Sequence, residues 1–277
     1  KDPEVEIEVH LANGNGTGPA WKYALGIAQE PRGDRRPIAR YEKVWKAGVL
    51  IDERPTFDDK VDADLLTQTH LEQISANKEF REVSRFFQSI SYLHLVPQLV
   101  RHPKEFSGPG VPGDPYGRTF LQKLSKVPER TRAARLRKIE KALRKAVPQL
   151  RELAFTIDTS EGGVPHLEAL YDHWRPKAGK QRERDFSDGT LRMIGLFWSL
   201  LEGDSMLLLE EPELSLHAEI IQKLPGLFHQ LVTKRKRQIV ISTHSFDLLA
   251  SRQIGAEEVL ILTPSREGTR VEKAASV

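Results

Sequence analysis

Two short apolar runs, each followed at once by polar residues, constrain the fold of this chain more than any other feature. Residues 206–209 lead into Glu210 and Glu211, and residues 238–241 lead into Ser242, Thr243 and His244. Continuous apolar runs of this length are typical of strands buried on both faces. The roughly thirty residues between them carry a helical pattern, which predicts a right-handed parallel crossover. Ligands bind at the carboxyl ends of such strands, so these polar residues are expected to share a functional edge.

The residue types at this edge fit phosphate chemistry. Neighbouring strand residues face opposite ways, so Glu210 can hold Mg²⁺, directly or through water, while Glu211 deprotonates an attacking water. His244 can hydrogen-bond a phosphate or that water. Surface acids that cap a strand and a structural histidine at a strand end are the alternative interpretations.

A second polar segment, Phe186-Ser187-Asp188-Gly189-Thr190, precedes a predicted helix whose apolar face is formed by Leu191, Ile194, Trp198 and Leu201. A helix start with Ser and Gly presents free N–H groups, and the positive end of the helix dipole also favours a phosphate there. An ordinary N-cap by Ser187 or Asp188 is the alternative.

The rest of the chain is predicted to form two further segments before the core at residues 186–277. Residues 1–57 alternate charged and apolar side chains, which predicts a β-rich segment that forms an antiparallel sheet. The glycine-rich run at residues 14–18 has no Lys-Ser/Thr pair, so a hairpin loop is favoured over a phosphate loop. Residues 58–185 are predicted to form a helical subdomain that contains a basic helix and a flexible Gly/Pro-rich loop at 108–117. Apolar residues recur at helical intervals over 65–74 and 80–93.

Within the helical segment, residues 130–145 predict a basic amphipathic helix. Leu136, Ile139 and Leu143 form its apolar face, and the surrounding basic residues are Arg130, Arg132, Arg135, Arg137, Lys138, Lys141, Arg144 and Lys145. Such a helix usually presents a solvated charged face, and contact with DNA is the functional alternative. The formal net charge is only +3, so DNA binding would depend on this local patch.

Composition excludes several classes of protein. The chain has no cysteine, so disulfide scaffolds and thiolate zinc sites are excluded, and a metal would need oxygen or imidazole ligands. No run of about 18 apolar residues is present, and residues 1–4 are too charged for a secretory signal. A cytoplasmic protein without membrane contact is expected.

Taken in order, four segments resemble the motifs of ABC-type ATPases of the SMC/RecF/OLD branch. Residues 186–190 resemble the signature motif, 207–211 the Walker B strand, 214–217 the D-loop, and 242–245 the switch-histidine segment. The resemblance implies an α/β P-loop NTPase fold of the ABC-ATPase head type. Its parts would be an N-terminal antiparallel β lobe, a helical insert, and a C-terminal parallel sheet with flanking helices.

The resemblance also implies an ATP- and Mg²⁺-dependent ATPase that forms a homodimer around two sandwiched ATP molecules. Glu210 would bind the metal, and Glu211 and His244 would be catalytic within the same subunit. Residues that would contact nucleotide are Phe186, Ser187, Asp188, Gly189, Thr190 and His217, with Ser187 and Gly189 acting across the interface. Such heads drive DNA repair, DNA clamping or antiphage nucleases, so a separate effector protein is expected.

The sequence departs from this pattern at two points. Glu210 stands where many members carry Asp, and GxxxxGKS/T occurs nowhere in the 277 residues. In this family that loop precedes the opening strands, so we expect it upstream of Lys1 and expect the chain alone to be inactive. Two alternatives stay open: a catalytically incomplete, nucleotide-dependent scaffold, and a DNA-binding module that regulates a separate nuclease.

Overall fold

The computed structural model describes residues 5–12, 19–30, 34–106, 110–160, 162–172, 179–232, 237–266 and 268–276. Two compact units divide the chain, Lys1–Ser89 and Ile90–Val277. The glycine-rich run at residues 14–18 lies outside the described residues. The division into segments 1–57, 58–185 and 186–277 stays a prediction.

The first unit opens with a four-stranded antiparallel sheet. Its strands are neighbours in chain order: β1 (Val5–Ala12), β2 (Pro19–Gln29), β3 (Pro37–Lys46) and β4 (Val49–Arg54). The antiparallel sheet predicted from the alternating pattern is therefore confirmed. Trp21, Tyr23 and Val44 project from one face of this sheet into a small core.

Short helical elements cover that face. Between α1 (Phe57–Val61) and α2 (Arg81–Ser89) lie two 3₁₀ turns, Ala63–Thr67 and Ala76–Phe80. The prediction of a helix over residues 65–74 is wrong. Arg54 donates hydrogen bonds to the carbonyl oxygens of Leu65 at 2.9 Å and Gln68 at 2.6 Å, and so occupies acceptors that a helix would use.

The second unit combines helices with three small sheets. Its first half contains β5 (Ser91–Leu93), α3 (Pro97–Arg101), α4 (Phe120–Lys126), α5 (Glu129–Leu143), β6 (Leu150–Asp158), β7 (Val164–Tyr171) and β8 (Gln181–Arg182). Its second half contains α6 (Asp188–Leu201), β9 (Leu207–Glu210), α7 (Ala218–Ile221), α8 (Leu224–Val232), β10 (Ile239–Ser242), α9 (Phe246–Leu249), β11 (Leu260–Ser265) and β12 (Gly268–Lys273).

The parallel sheet has the order β10-β9-β5, with β9 in the centre. Strands β6, β7 and β8 form an antiparallel sheet, and β11 and β12 form a hairpin. The predicted mixed α/β fold, with an antiparallel N-terminal sheet and a C-terminal parallel sheet, is confirmed. The segment 58–185 also contains β5 to β8, in addition to the expected helices.

Helix α6 forms the centre of the second core because apolar residues surround almost all of it. Ile194, Phe197 and Leu200 are completely buried, and β9 contributes Leu207 and Leu209 to the same cluster. Helices α7 and α8 are separate, and Pro225 lies in the first turn of α8, where a proline is tolerated.

One helix ends earlier than predicted. The pattern over residues 80–93 predicted a single helix, but α2 ends at Ser89 and β5 follows. The backbone of β5 pairs in parallel with β9, with Tyr92 opposite Leu208, and this tertiary pairing replaces local helical hydrogen bonds. Of the helices described, none is both long enough and apolar enough to cross a bilayer.

Candidate functional site

The carboxyl ends of β9 and β10 lie side by side. Glu210 pairs with Ser242 in the parallel register, and the backbone N–H of Glu211 donates to the carbonyl oxygen of Ser242 at 2.9 Å. The predicted parallel crossover is therefore confirmed, and the polar residues that follow the two strands share one edge of the sheet.

The side chain of Glu210 is held by the neighbouring strand β5. The Tyr92 hydroxyl donates a hydrogen bond to Glu210 Oε2, and this bond raises the pKa of Tyr92 to about 12. His94 Nδ1 also lies 3.4 Å from the carbonyl oxygen of Glu210. Tyr92 could not be identified from the sequence, because the pattern of a three-residue strand is too short to be recognised and its partner strand is distant in the chain.

Glu211 lies just beyond the strand. Its φ angle is +41°, in the left-handed region that side-chain-bearing residues rarely adopt, and its carbonyl accepts the N–H of Leu214 at 3.1 Å. The strand alternation expected to direct Glu210 and Glu211 to opposite sides therefore does not apply, because Glu211 begins a turn. Strained backbone of this kind is frequent at functional sites.

Glu213, in the same turn, contacts the segment that follows β10. The Thr243 hydroxyl donates to Glu213 Oε1, and the carboxylate is buried, with 7% of the residue exposed. Within the described part of the chain, Glu213 Oε2 is buried without a hydrogen-bond partner. The turn after β9 and the segment after β10 are thus joined by a side-chain bond as well as by the backbone.

The segment at residues 186–190 forms the start of α6. Ser187 Oγ accepts the N–H of Thr190 at 3.2 Å, which confirms the predicted N-cap. Phe186 and Thr190 are buried, Asp188 and Gly189 are half-buried, and Ser187 is exposed. Of these five residues, Ser187 is therefore the most accessible to a ligand.

Helix α3 fixes this helix start in place. Arg101 Nη1 lies 2.6 Å from Asp188 Oδ1, and Arg101 Nη2 donates to the carbonyl oxygen of Phe186 at 2.5 Å. Gln98 Nε2 donates to the other Asp188 oxygen at 3.3 Å. The Asp188 carboxylate is therefore engaged within the protein, a role the sequence pattern did not reveal.

Gly189 lets the start of α6 approach the turn after β9. A Cβ at this position would lie 2.8 Å from the carbonyl oxygen of Ser215 and 3.1 Å from Leu216 Cδ2. Real side chains do not tolerate the first of these distances. The helix start and the residues of the predicted D-loop are consequently in direct contact.

Arg192 is a further residue of this contact that sequence reasoning missed. It lies one helical turn after Asp188, and burial lowers the pKa of its guanidinium, an effect partly offset by the carboxylates of Asp188 and Glu211. Its Nε atom is buried and has no hydrogen-bond partner among the described residues. The four-residue spacing from Asp188 is a sequence signal that could have identified it.

The two predicted site histidines are less constrained. His217 occupies the N-cap position of α7, where its carbonyl accepts the N–H of Ile220 at 2.8 Å and its exposed side chain forms no cap. His244 is exposed between Thr243 and Ser245, and its imidazole forms no hydrogen bond to another described residue. The fold brings the backbone of His244 to the glutamate edge and leaves the ring available.

The residues present fit a magnesium ion only as part of a larger ligand set. Among the described residues, no group of three or more His, Asp or Glu could hold a metal ion. Mg²⁺ commonly binds through one or two carboxylates and completes its shell with waters and phosphate oxygens. Glu210 suits that role, because Tyr92 engages one carboxylate oxygen and leaves the other for the ion or its water.

The basic residues of the predicted helix at 130–145 divide into two groups in α5. Arg132 packs over the Phe155 ring at 4.1 Å and Arg135 over the Trp198 ring at 5.1 Å, so both guanidinium groups stabilise packing within the protein. An exposed basic group is formed by Arg130, Arg137, Lys138 and Lys141, which make no ion pair with other described residues. Arg144 pairs with Glu140 at 2.7 Å.

A sequence profile of a family described as "AAA domain, putative AbiEii toxin, Type IV TA system" matches residues 1–251. A search of curated proteins found no significant match.

Several solved structures are similar at low identity. An SMC ATPase studied for ATP-driven dimerisation and DNA-stimulated activation is 12% identical, with 57% of this chain and 92% of that chain covered and a TM-score of 0.40. An SMC head bound to the C-terminal winged-helix domain of ScpA is 13% identical, with coverages of 94% and 76% and a TM-score of 0.45. The SMC head domain of Thermotoga maritima is 11% identical, with coverages of 94% and 76% and a TM-score of 0.39.

Proposed function

This chain belongs to the family of AAA domains described as putative AbiEii toxins of type IV toxin–antitoxin systems, and on that premise we propose that it is an ATP-binding and ATP-hydrolysing head domain. The family match is to AAA domains, and it supports the ATPase head that the motifs predicted. We propose further that the head dimerises on ATP and drives a separate effector in a DNA-related or antiphage process.

The observation that carries the proposal is the hydrogen bond from the Glu211 backbone to Ser242. It joins the turn that bears both glutamates to the segment that bears His244, at the carboxyl edge of a parallel sheet. In this proposal Glu210 binds Mg²⁺, which when present neutralises charge on the phosphate oxygens. Glu211 accepts a proton from the attacking water, and His244 orients that water or the γ-phosphate.

The helix start at Ser187 is proposed to contact the ATP held by a second copy of the chain. Its exposed hydroxyl and the free N–H groups of the first turn of α6 suit a phosphate. Gly189 allows the close approach to the Ser215 backbone, and Phe186 and Thr190 support this helix start from the core. Asp188 would act indirectly, because its carboxylate is bound to Arg101, and His217 would contribute an exposed imidazole from the adjacent turn.

The test of the general base is Glu211→Gln in the full-length protein. Loss of a general base should slow hydrolysis by about 10²–10⁴-fold while ATP binding is retained. Glu219→Gln is the matched control, since Glu219 is an exposed acid in α7 and the chemical change is the same. Unchanged turnover in Glu211→Gln would remove Glu211 from the role.

A mixing experiment tests the shared active site. Ser187→Arg should inactivate the protein, because a bulky side chain fills the space that a phosphate must enter. If Ser187 and Glu211 serve the same ATP from different subunits, mixing Ser187→Arg with Glu211→Gln restores one complete site in each mixed dimer. A mixture as inactive as its two components would contradict the composite dimer.

A second proposed function, DNA binding, is supported by the exposed basic group of α5. Arg130, Arg137 and Lys141 repeat at seven- and four-residue spacings, so they lie along one side of the helix. Double charge reversal at Arg137 and Lys141 should weaken DNA binding and reduce the slope of log K against log salt by about 0.9 for each lost phosphate contact. Lys60→Glu, at an exposed lysine of α1, is the control. Equal binding by all three proteins would refute the assignment.

The remaining alternative is a nucleotide-dependent scaffold that does not hydrolyse ATP. Steady ATP turnover by the full-length protein, reduced in Glu211→Gln, would exclude the scaffold. ATP-dependent binding of an effector without turnover would favour it.

A further inference from the structure

Thr243 connects the His244 segment to a buried carboxylate. Its hydroxyl donates to Glu213 Oε1 and at the same time accepts the backbone N–H of Ser245 at 2.9 Å. Ser245 in turn caps α9, with its Oγ accepting the N–H of Leu248 at 3.3 Å. One hydroxyl group therefore links Glu213 to the backbone immediately after His244.

The burial of Glu213 makes this link hard to replace. A carboxylate removed from water is costly unless hydrogen bonds compensate it, and only 7% of Glu213 is exposed. Oε2 has no partner among the described residues, so the Thr243 hydroxyl is the one side-chain donor that the structure gives this carboxylate. Removing that donor would leave both carboxylate oxygens without a partner in the described part of the chain, and a buried unsatisfied group costs more than a surface hydrogen bond contributes.

The same segment is fixed on its other side by the backbone. Ser242 accepts the N–H of Glu211 at 2.9 Å, so the two residues before His244 are both tied to the turn at residues 211–213. Ser245, after His244, is tied to that turn through the Thr243 hydroxyl. His244 itself is exposed and its ring is unbonded within the described chain. The position of the imidazole is thus set by its neighbours rather than by contacts of its own.

We propose that Thr243 and Glu213 are positioning residues that hold His244 against the glutamate edge. This inference rests on the proposed function, in which His244 orients the attacking water or the γ-phosphate. Neither residue needs to touch the nucleotide, because both act through the backbone of the His244 segment.

Two variants separate the hydroxyl from the shape of the side chain. Thr243→Val removes the hydroxyl at nearly constant volume, whereas Thr243→Ser keeps it. Thr269→Val is the matched control, since Thr269 is an exposed threonine of β12. Without nucleotide, Thr243→Val should accelerate amide exchange at Ser245 and shift the His244 ring signals in NMR spectra, while Thr243→Ser and Thr269→Val should not.

In the ATPase assay, Thr243→Val should lower kcat by about 10–100-fold, the range found when hydrogen-bond partners that orient metal-ligating histidines are removed. KM should change by less than about threefold, and Thr243→Ser should recover most of the loss. Combined with His244→Ala, Thr243→Val should add almost nothing, because the two changes affect one function.

The two readouts distinguish the inference from the function on which it rests. Unchanged Ser245 exchange and unchanged His244 signals in Thr243→Val would overturn the positioning role, whatever the ATPase result. Altered signals in a protein whose wild type lacks ATP turnover would uphold the positioning and refute the proposed function. A kcat loss in Thr243→Val that adds fully to that of His244→Ala would also overturn the inference.

Discussion

Replacing Arg54 with Met should destabilise the first unit severely. Arg54 is 1% exposed, and its guanidinium binds the buried Asp59 carboxylate through both Nε and Nη2. Nη1 lies 3.7 Å from the fully buried Glu42 carboxylate, and the backbone oxygens of Leu65 and Gln68 accept two more hydrogen bonds. The change would therefore leave two buried carboxylates without their cation.

The magnitude follows from that burial. Breaking a buried ion pair by removing one partner costs about 3–5 kcal/mol, because an uncompensated charge remains in the interior. A native domain has a total free energy of unfolding of about 5–15 kcal/mol, so this loss is a large fraction of it. The nearly isosteric Met excludes a large cavity as the explanation.

Arg36→Met is a matched control within the same unit. Arg36 also binds two carboxylates, Glu30 and Asp64, each at 2.7 Å, but its side chain is 48% exposed. Exposed ion pairs contribute about 0–1 kcal/mol, so this variant should be close to wild type. Urea unfolding followed by the fluorescence of Trp21 and Trp45 measures both, since these residues lie on β2 and β3. Equal destabilisation by the two variants would refute the reasoning from burial.

Three further predictions follow from the described residues. The Arg54 guanidinium holds the pKa of Asp59 below its ordinary value, so the stability of the wild-type protein should fall as the pH drops below about 5. Urea unfolding midpoints at several pH values measure this, and a midpoint independent of pH would contradict it. Tyr92→Phe should weaken Mg²⁺-dependent turnover in the full-length protein, because Glu210 loses its hydroxyl partner, whereas ATP affinity measured without Mg²⁺ should not change. Gly189→Ala should lower the free energy of unfolding by about 1–3 kcal/mol despite the higher helix propensity of alanine, because its Cβ would lie against the Ser215 carbonyl oxygen. A variant more stable than the wild type would exclude that contact.

Much of this fold was determined by patterns that are local in the sequence. Alternation at a period of two specified the four N-terminal strands, because each strand exposes one face and buries the other. The apolar run of β9 and the polar residues after it specified a buried strand with a functional end. Ser187 was recognisable as an N-cap because capping depends only on a side chain and the next three residues.

The bonds that define the candidate site are not local, and only the tertiary structure decided them. Tyr92 and Glu210 are 118 residues apart, and Thr243 and Glu213 are 30 apart, so no window of the sequence contains either pair. Strand β5 exists because β9 offers it a partner, not because three residues prefer extended structure. The sequence by itself therefore determined which residue types stand at the strand ends and helix start. Packing determined which of these side chains are hydrogen-bonded within the protein, which remain exposed and which contact each other, because those outcomes depend on distant segments.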